Sequence, residues 1–95
     1  MNQEQLKLIK EICQQNGITY LGLFGSFARG DYNDRSDVDL LAKYREPLSL
    51  LEKGHLINSF QEVFNREVDL VSAKYLKPGI RPYVEKDLKT VYEEE

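Results

Sequence analysis

The segment that decides the fold lies between residues 18 and 41 and reads ITYLGLFGSFARGDYNDRSDVDLL. Its first seven residues, 18–24, combine β-branched, aromatic and leucine side chains over the length of one buried strand. Gly25 ends this run, and residues 26–29 have room for a single helical turn. Residues 30–36 are rich in Asp, Asn, Gly and Ser, which is typical of a polar loop. We therefore predict a strand, a turn and a loop in succession.

A second strand is predicted over residues 37–44. Successive strand residues face opposite sides, so Asp37 and Asp39 leave the same face with Cα atoms about 6.6 Å apart. Leu40 and Leu41 follow at once, which places the two acids at the mouth of a buried strand. Carboxylates at this spacing can converge on metal ions ~3.5 to 4 Å apart, as in two-metal phosphoryl chemistry. A bare Asp-x-Asp pair is also consistent with a solvated strand edge.

The remaining residues predict helices around one small sheet. We predict helices at 2–16 with Asn2 as N-cap and at 48–64, a strand at 67–71, a helical stretch from about residue 73 and a last helix from Pro82 to about Lys89. The core side of the 48–64 helix is predicted to hold Leu48, Leu51, Leu56, Phe60, Val63 and Phe64. The order αβ(α)βαβα indicates an α/β (α+β) chain, and 95 residues leave room for one domain, residues 1–95.

Gly25 and Ser26 lie where the first strand turns into the possible helix. A glycine–serine turn at a helix start presents backbone N–H groups and a hydroxyl, which together suit a phosphate. Taken alone, the pair is more typical of an ordinary tight turn with a capping serine. Arg29 follows closely and would either clamp a phosphate or pair with Asp31 or Asp34.

A third carboxylate, Asp69, interrupts the apolar strand predicted at 67–71. An ionised carboxylate in an apolar strand is costly unless a metal, a cation or hydrogen bonds compensate it. If this strand lies beside the second one, Asp69 shares a site with Asp37 and Asp39, and a divalent cation is the simplest compensation for their repulsion. Pairing of Asp69 with Arg66 or a nearby lysine is the other interpretation.

Composition and charge argue against several classes of protein. The net charge of −3 disfavours stable binding to naked nucleic acid. No apolar run approaches the ~18 residues of a membrane span, and the first residues lack the layout of a secretory signal, so we expect a cytoplasmic protein without a membrane partner. The single cysteine, Cys13, is expected to be a buried structural thiol. The run of glutamates at residues 93–95 is expected to be a solvated, frayed end.

Taken together, the motifs resemble the signature of the DNA polymerase beta-type nucleotidyltransferase superfamily. The resemblance rests on Gly25-Ser26, ten further residues and then Asp37-Val38-Asp39, with Arg29-Gly30 and Ser36 between them. The short chain and the later Val68-Asp69-Leu70-Val71 are similar to its minimal nucleotidyltransferase (MNT) branch. Nearly the whole chain is covered, and the combined motif is far more specific than either half.

The resemblance implies a small mixed sheet flanked by helices and a site with two magnesium ions. It implies that Asp37 and Asp39 bind the ions, that Asp69 is a further metal ligand or the general base, and that Gly25, Ser26, Arg29 and Ser36 form the binding site of the nucleoside triphosphate. The implied reaction transfers a nucleoside monophosphate, with AMP from ATP as the expected case, and releases pyrophosphate. Many members of this branch resemble antitoxins that adenylate a tyrosine of a HEPN ribonuclease toxin, so a HEPN-type toxin is the expected partner.

Two other functions stay open on the sequence alone. One is a binding module that neutralises its partner by covering it, and the other is a small-molecule nucleotidyltransferase that completes its pocket as a homodimer. The presence of all three acids and of the Gly-Ser pair argues against a degraded site. A chain of this size also has little surface beyond its core on which to hold a large acceptor. A macromolecular partner that brings its own hydroxyl group therefore fits better.

Overall fold

The computed structural model describes residues 1–95, and its helices and strands follow the local sequence signals closely. The elements are α1 (Gln3–Gln15), β1 (Ile18–Phe24), α2 (Gly25–Arg29), β2 (Val38–Tyr44), α3 (Leu50–Phe64), β3 (Val68–Ser72), a 3₁₀ turn (Ala73–Tyr75), α4 (Arg81–Asp87) and β4 (Lys89–Glu93). None of the helices combines the length and the apolar character that crossing a bilayer requires.

The two longest helices begin at reciprocal caps. The side chain of Asn2 accepts from the Gln5 N–H at 2.8 Å, and the Gln5 side chain accepts from the Asn2 N–H at 3.0 Å. Ser49 and Glu52 repeat the arrangement at the start of α3, at 3.1 and 3.0 Å. Such caps satisfy N–H groups that have no partner inside the helix. They confirm the predicted first helix and start the second at Leu50 rather than at residue 48.

The four strands form one mixed sheet in the order β3-β2-β1-β4. β1 runs antiparallel to both β2 and β4, whereas β2 and β3 run parallel. A parallel pair needs a long crossover connection, and α3 provides it. The predicted fold class, a small mixed sheet flanked by helices, is therefore confirmed.

The predicted order αβ(α)βαβα lacks the last strand, β4. Beyond β4, the Glu94 N–H donates to the Thr19 carbonyl at 2.9 Å, and Arg45 Nη2 donates to both carboxylate oxygens of Glu94 at 2.6 Å. The prediction of a frayed end at residues 93–95 is therefore wrong for Glu93, which lies in β4, and for Glu94. The charged glutamates indicated a solvated end, whereas the segment includes a short edge strand that pairs with β1.

The core lies between the sheet and the pair α1 and α3. It comprises Ile9, Cys13, Ile18, Leu21, Leu23, Ala28, Val38, Leu40, Ala42, Leu56, Phe60, Phe64 and Leu70. Cys13 is fully buried, and burial raises the pKa of its thiol to about 12, as expected of a structural cysteine. Leu51, by contrast, is 70% exposed, so its predicted place in the core is wrong. It precedes Leu56 by five residues, about 140° around the helix, and so lies off the buried stripe.

Candidate active site

The sheet brings the two strand carboxylates together. In the parallel register of β2 and β3, Asp39 is the direct partner of Asp69. Adjacent strands lie about 4.8 Å apart and register partners share a face, so both carboxylates project from the same side of the sheet. Asp37 stands one residue before β2 and two before Asp39. The structure thus gathers the three predicted acids at the amino-terminal ends of the two parallel strands.

None of these three acids forms an ion pair within the protein. The three ion pairs of the chain are Arg29–Asp31, Arg29–Asp87 and Arg45–Glu94. Burial is the main cause that raises the pKa of Asp39, followed by the charges of Asp69 and Asp37, while Arg29 acts in the opposite direction. A half-buried carboxylate among like charges is therefore held in an environment that disfavours its own ionisation.

The burial expected for Asp69 is not found, because its side chain is exposed on the edge strand β3. The alternative pairing with Arg66 is not found either, since that guanidinium donates to the carbonyls of Asn33 and Ser36. Asp69 is therefore open to solvent on one side and adjoins Asp39 on the other. This placement leaves it accessible to a group that approaches from outside.

Whether the acids suit a metal ion depends on their number and chemistry. No three His, Cys, Asp or Glu side chains stand close enough to hold an ion by themselves. Mg²⁺ is usually bound through one or two carboxylates together with water and substrate phosphates, and carboxylate oxygens are ligands of the right kind. Asp37 and Asp39, neither of which is in an ion pair, fit an ion of this type that binds jointly with a nucleotide.

Gly25 packs directly against Asp39. It starts α2 with φ +74°, in the left-handed region, and a Cβ at this position would overlap the Asp39 carboxylate. Only glycine adopts this positive φ without strain and also leaves the Asp39 carboxylate where it is. Ser26 follows half-buried, and its carbonyl accepts from the N–H groups of Gly30 at 3.0 Å and Asp31 at 3.2 Å. The Gly-Ser turn and the Asp-x-Asp motif, distant in sequence, thus meet in space.

Arg29 ends α2 and is held by two carboxylates. Its Nε donates to Asp31 at 3.1 Å, which is one of the pairings the sequence allowed, and its Nη1 donates to Asp87 of α4 at 2.8 Å. No sequence pattern indicated the second partner, because Asp87 lies 58 residues away.

An arginine clamp holds the loop that carries Ser36 and Asp37. Nη1 of Arg66 donates to the Asn33 carbonyl at 2.7 Å and to the Ser36 carbonyl at 3.0 Å. Its guanidinium lies 5.2 and 5.1 Å from the ring centroids of Phe27 and Tyr32, which stack on each other at 4.3 Å. The Ser36 hydroxyl accepts from the Asn33 N–H at 3.0 Å, so this side chain is engaged within the loop.

A cavity of the protein lies away from the acids. About 420 Å³ in volume, it is lined by Lys43, Tyr44, Arg45, Pro47, Leu48, Leu50, Lys53, Ser72, Lys74 and Tyr75. Lys43 follows Asp39 by four strand residues, about 13 Å along β2. None of the predicted site residues lines this cavity, and Asp37 and Asp69 are exposed. The acids therefore occupy an open face, on which a bulky acceptor has access.

A mixed sheet with a Gly-Ser turn packed against an Asp-x-Asp strand defines the class of nucleotidyltransferases. The family model described as "Polymerase beta, Nucleotidyltransferase" matches residues 7–95. The chain therefore belongs to the polymerase beta nucleotidyltransferase family, and it is an enzyme of that class, in its minimal branch.

Two sequence relatives show how widely the similarity extends. Protein adenylyltransferase MntA of Thermococcus cleftensis is 38% identical over 71 residues, which cover 75% of this chain and 72% of that protein. MJ0126 of Methanocaldococcus jannaschii, a candidate protein adenylyltransferase, is 32% identical over 80 residues, 83% of this chain and 82% of that one.

Solved structures show the same fold. A candidate minimal nucleotidyltransferase is 31% identical with a TM-score of 0.73, over 94% of this chain and 95% of that one. A toxin–antitoxin crystal structure with AMP-PNP has a TM-score of 0.78 at 20% identity, over 95% and 74% of the two chains. A tri-AMPylated Shewanella oneidensis HEPN toxin in complex with MNT antitoxin gives 0.72 at 19%, over 98% and 73%. The last two likenesses concern the fold alone.

The raised pKa of Asp39 predicts a pH-dependent stability of the metal-free protein. Between the ordinary Asp pKa and the raised one, the folded state binds more protons than the unfolded state. The contribution of Asp39 to the free energy of unfolding is therefore complete below the ordinary Asp pKa. It is lost as the pH rises through the raised pKa. Asp39→Asn should remove this loss.

The free energy of unfolding in urea with EDTA, followed from about pH 3 to about pH 7, measures this effect. Asp34→Asn, which changes an exposed loop carboxylate, is the matched control. The same pH dependence in wild type and Asp39→Asn would contradict the expected coupling among the acids.

Proposed function

We propose that the protein transfers AMP from ATP to a hydroxyl group of a HEPN-type toxin and thereby acts as its antitoxin in the cytoplasm. The observation that carries the proposal is the position of Asp39, with the Gly25 turn on one side and Asp69 on the other. The Gly25 turn, which suits a phosphate, therefore lies beside Asp39, which suits a cation, and Asp39 lies beside the exposed carboxylate of Asp69. The names of the relatives, protein adenylyltransferases, support a protein as acceptor.

The site residues bind different parts of the nucleotide complex: the carboxylates bind the cations, and the Gly-Ser turn and Arg29 bind the triphosphate. We propose that Asp37 and Asp39, with Asp69 as an additional ligand, would hold two Mg²⁺ ions, which would supply charge neutralisation and Lewis-acid chemistry at the nucleotide phosphates. The backbone of Gly25 and the hydroxyl of Ser26 hold the triphosphate, and Arg29 adds a positive charge beside it. Ser36 does not bind the nucleotide directly in this proposal, because its hydroxyl and its carbonyl are both hydrogen-bonded within the chain. Its role is to position the next residue, Asp37.

Asp69 is also suited to the proton transfer. Its exposed carboxylate accepts the proton of the incoming hydroxyl while that oxygen attacks the α-phosphate and pyrophosphate departs. Nucleotidyl transfer depends mainly on positioning and charge neutralisation, so this small set of groups is sufficient.

The acceptor is proposed to be a protein because of size and charge. The chain carries a net charge of −3, which repels a phosphate backbone, so no stable complex with nucleic acid is expected. The acids lie on an open face rather than inside the 420 Å³ cavity, which suits a folded partner more than a small metabolite.

Asp69→Asn should slow transfer by a factor of about 10² to 10⁴, the usual contribution of a general base, and leave the complex with the toxin intact. Single-turnover rates measure the first effect and size-exclusion chromatography the second. Glu67→Gln, an exposed carboxylate just before β3, serves as the control. An unchanged rate for Asp69→Asn would remove Asp69 from the chemistry.

Labelled ATP tests the reaction as a whole. With the toxin and magnesium present, label in the α-phosphate should become bound to the toxin, whereas label in the γ-phosphate should leave as pyrophosphate. A stable complex without any transfer would favour the binding module instead. Transfer to a small metabolite by a homodimer would favour the small-molecule enzyme. The other nucleoside triphosphates, tested in parallel, establish whether the expected preference for ATP holds.

A further inference from the structure

The two carboxylates that hold Arg29 differ in their surroundings. The side chain of Asp31 is 62% exposed and belongs to the loop after α2, whereas that of Asp87 is 12% exposed and ends α4. α4 packs against both α2 and β1. One partner of the guanidinium is therefore on a solvated loop, and the other is fixed to the body of the fold.

We propose that Asp87 is a positioning residue that keeps Arg29 directed at the nucleotide phosphates, and that Asp31 is a competing partner which the phosphates displace. The inference rests on the proposed function, because it takes Arg29 to be a phosphate ligand. It assigns to α4, which lies outside the sequence motif, a role in nucleotide binding.

Arg29 needs support from another element. Its own helix has five residues and ends at Gly30 with φ +86°, so the arginine stands at the last position before the chain turns away. The bond from Nη1 to Asp87, 2.8 Å long, fixes the side chain before any nucleotide arrives. A side chain ordered in advance loses less conformational entropy on binding. Arg29 follows Ser26 by three residues on α2, a spacing at which helical side chains are neighbours.

The bond to Asp31 is the replaceable one. It joins Nε to an exposed carboxylate at 3.1 Å, and ion pairs of this kind contribute little to stability. A guanidinium has five N–H donors, so Asp87 leaves enough of them free for bidentate contact with a phosphate. A triphosphate carries more charge than one carboxylate and should therefore take the place of Asp31.

Binding of α,β-methylene-ATP with Mg²⁺ to the full chain, measured by calorimetry, tests this without any chemical step. Asp87→Ala should weaken binding about tenfold or more, as the loss of an orienting partner does at other sites, and Asp87→Glu should restore part of it. Asp31→Asn should tighten binding. Glu85→Gln, an exposed carboxylate on the same helix, should leave the affinity unchanged.

A double-mutant cycle separates positioning from a structural effect. In an Arg29→Ala background, Asp87→Ala should cause no further loss of affinity. Equal losses with and without Arg29 would overturn the inference, and so would unchanged binding by Asp87→Ala. If Asp87→Ala does not fold, as judged by its melting temperature, the isosteric Asp87→Asn takes its place in the cycle. Wild-type protein that binds no nucleotide would overturn the proposed function together with this inference.

Discussion

Replacement of both Asp37 and Asp39 by Asn is expected to lower the rate of adenylate transfer about a thousandfold or more. Asn keeps the shape of the side chain and loses the charge that would hold the cations. The fold should persist, because neither carboxylate is engaged in an ion pair in the protein. Removal of like charges beside Asp69 should even raise the melting temperature of the metal-free protein.

Initial rates with ATP, magnesium and the toxin measure the loss, and thermal melting tests the fold. Magnesium with nucleotide should stabilise the wild type, as any ligand selective for the native state does, and should stabilise the double variant much less. Asp34→Asn provides the control for a change of loop charge. Transfer by the double variant within a few-fold of the wild-type rate would contradict the two-metal interpretation.

Gly25→Ala is expected to reduce transfer about a hundredfold or more. The added Cβ would overlap the Asp39 carboxylate, so the carboxylate or the turn must move out of place. The same position has φ +74°, which costs a residue with a Cβ about 1 to 2 kcal/mol. Both effects act at the meeting point of the turn and the acids.

Gly17→Ala separates these two causes. Gly17 has φ +68°, and a Cβ there would meet nothing within 4 Å. This variant therefore carries the backbone strain without the overlap, and it should lose some stability while it keeps its transfer rate. Transfer rates and melting temperatures of both variants give the comparison. Equal activity of Gly25→Ala and Gly17→Ala would show that close packing against Asp39 is unimportant.

Local patterns predicted most of the fold because its elements carry strong local signals. The capped helix α1, the strands β1 and β2 and the buried stripe around Phe60 all follow from caps and periodicity. The sequence does not predict β4, because charged residues flank a short apolar centre, Val91 and Tyr92. An edge strand also pairs with only one neighbour, so it needs a weaker apolar pattern than a central strand. Its pairing with β1 is a tertiary contact that no local pattern contains.

The sequence predicts which residues form the candidate site better than it predicts how they are arranged. The sequence predicts that Asp69 joins Asp37 and Asp39 if their strands are neighbours, and the sheet order makes them neighbours. The exposure of Asp69 depends on β3 being an edge strand, which the sequence does not encode locally. Arg66 and Asp87 act on partners 30 or more residues away, so their roles emerged only from the folded chain.

The mass of the HEPN-type toxin after incubation with this protein, magnesium and ATP tests the central claim most directly. We predict that the toxin gains adenylate, that peptide mapping locates it on a tyrosine or serine hydroxyl, and that the Asp37→Asn/Asp39→Asn variant adds none. A toxin of unchanged mass, while RNA or a small metabolite is labelled efficiently under the same conditions, would contradict the claim that the acceptor is a protein.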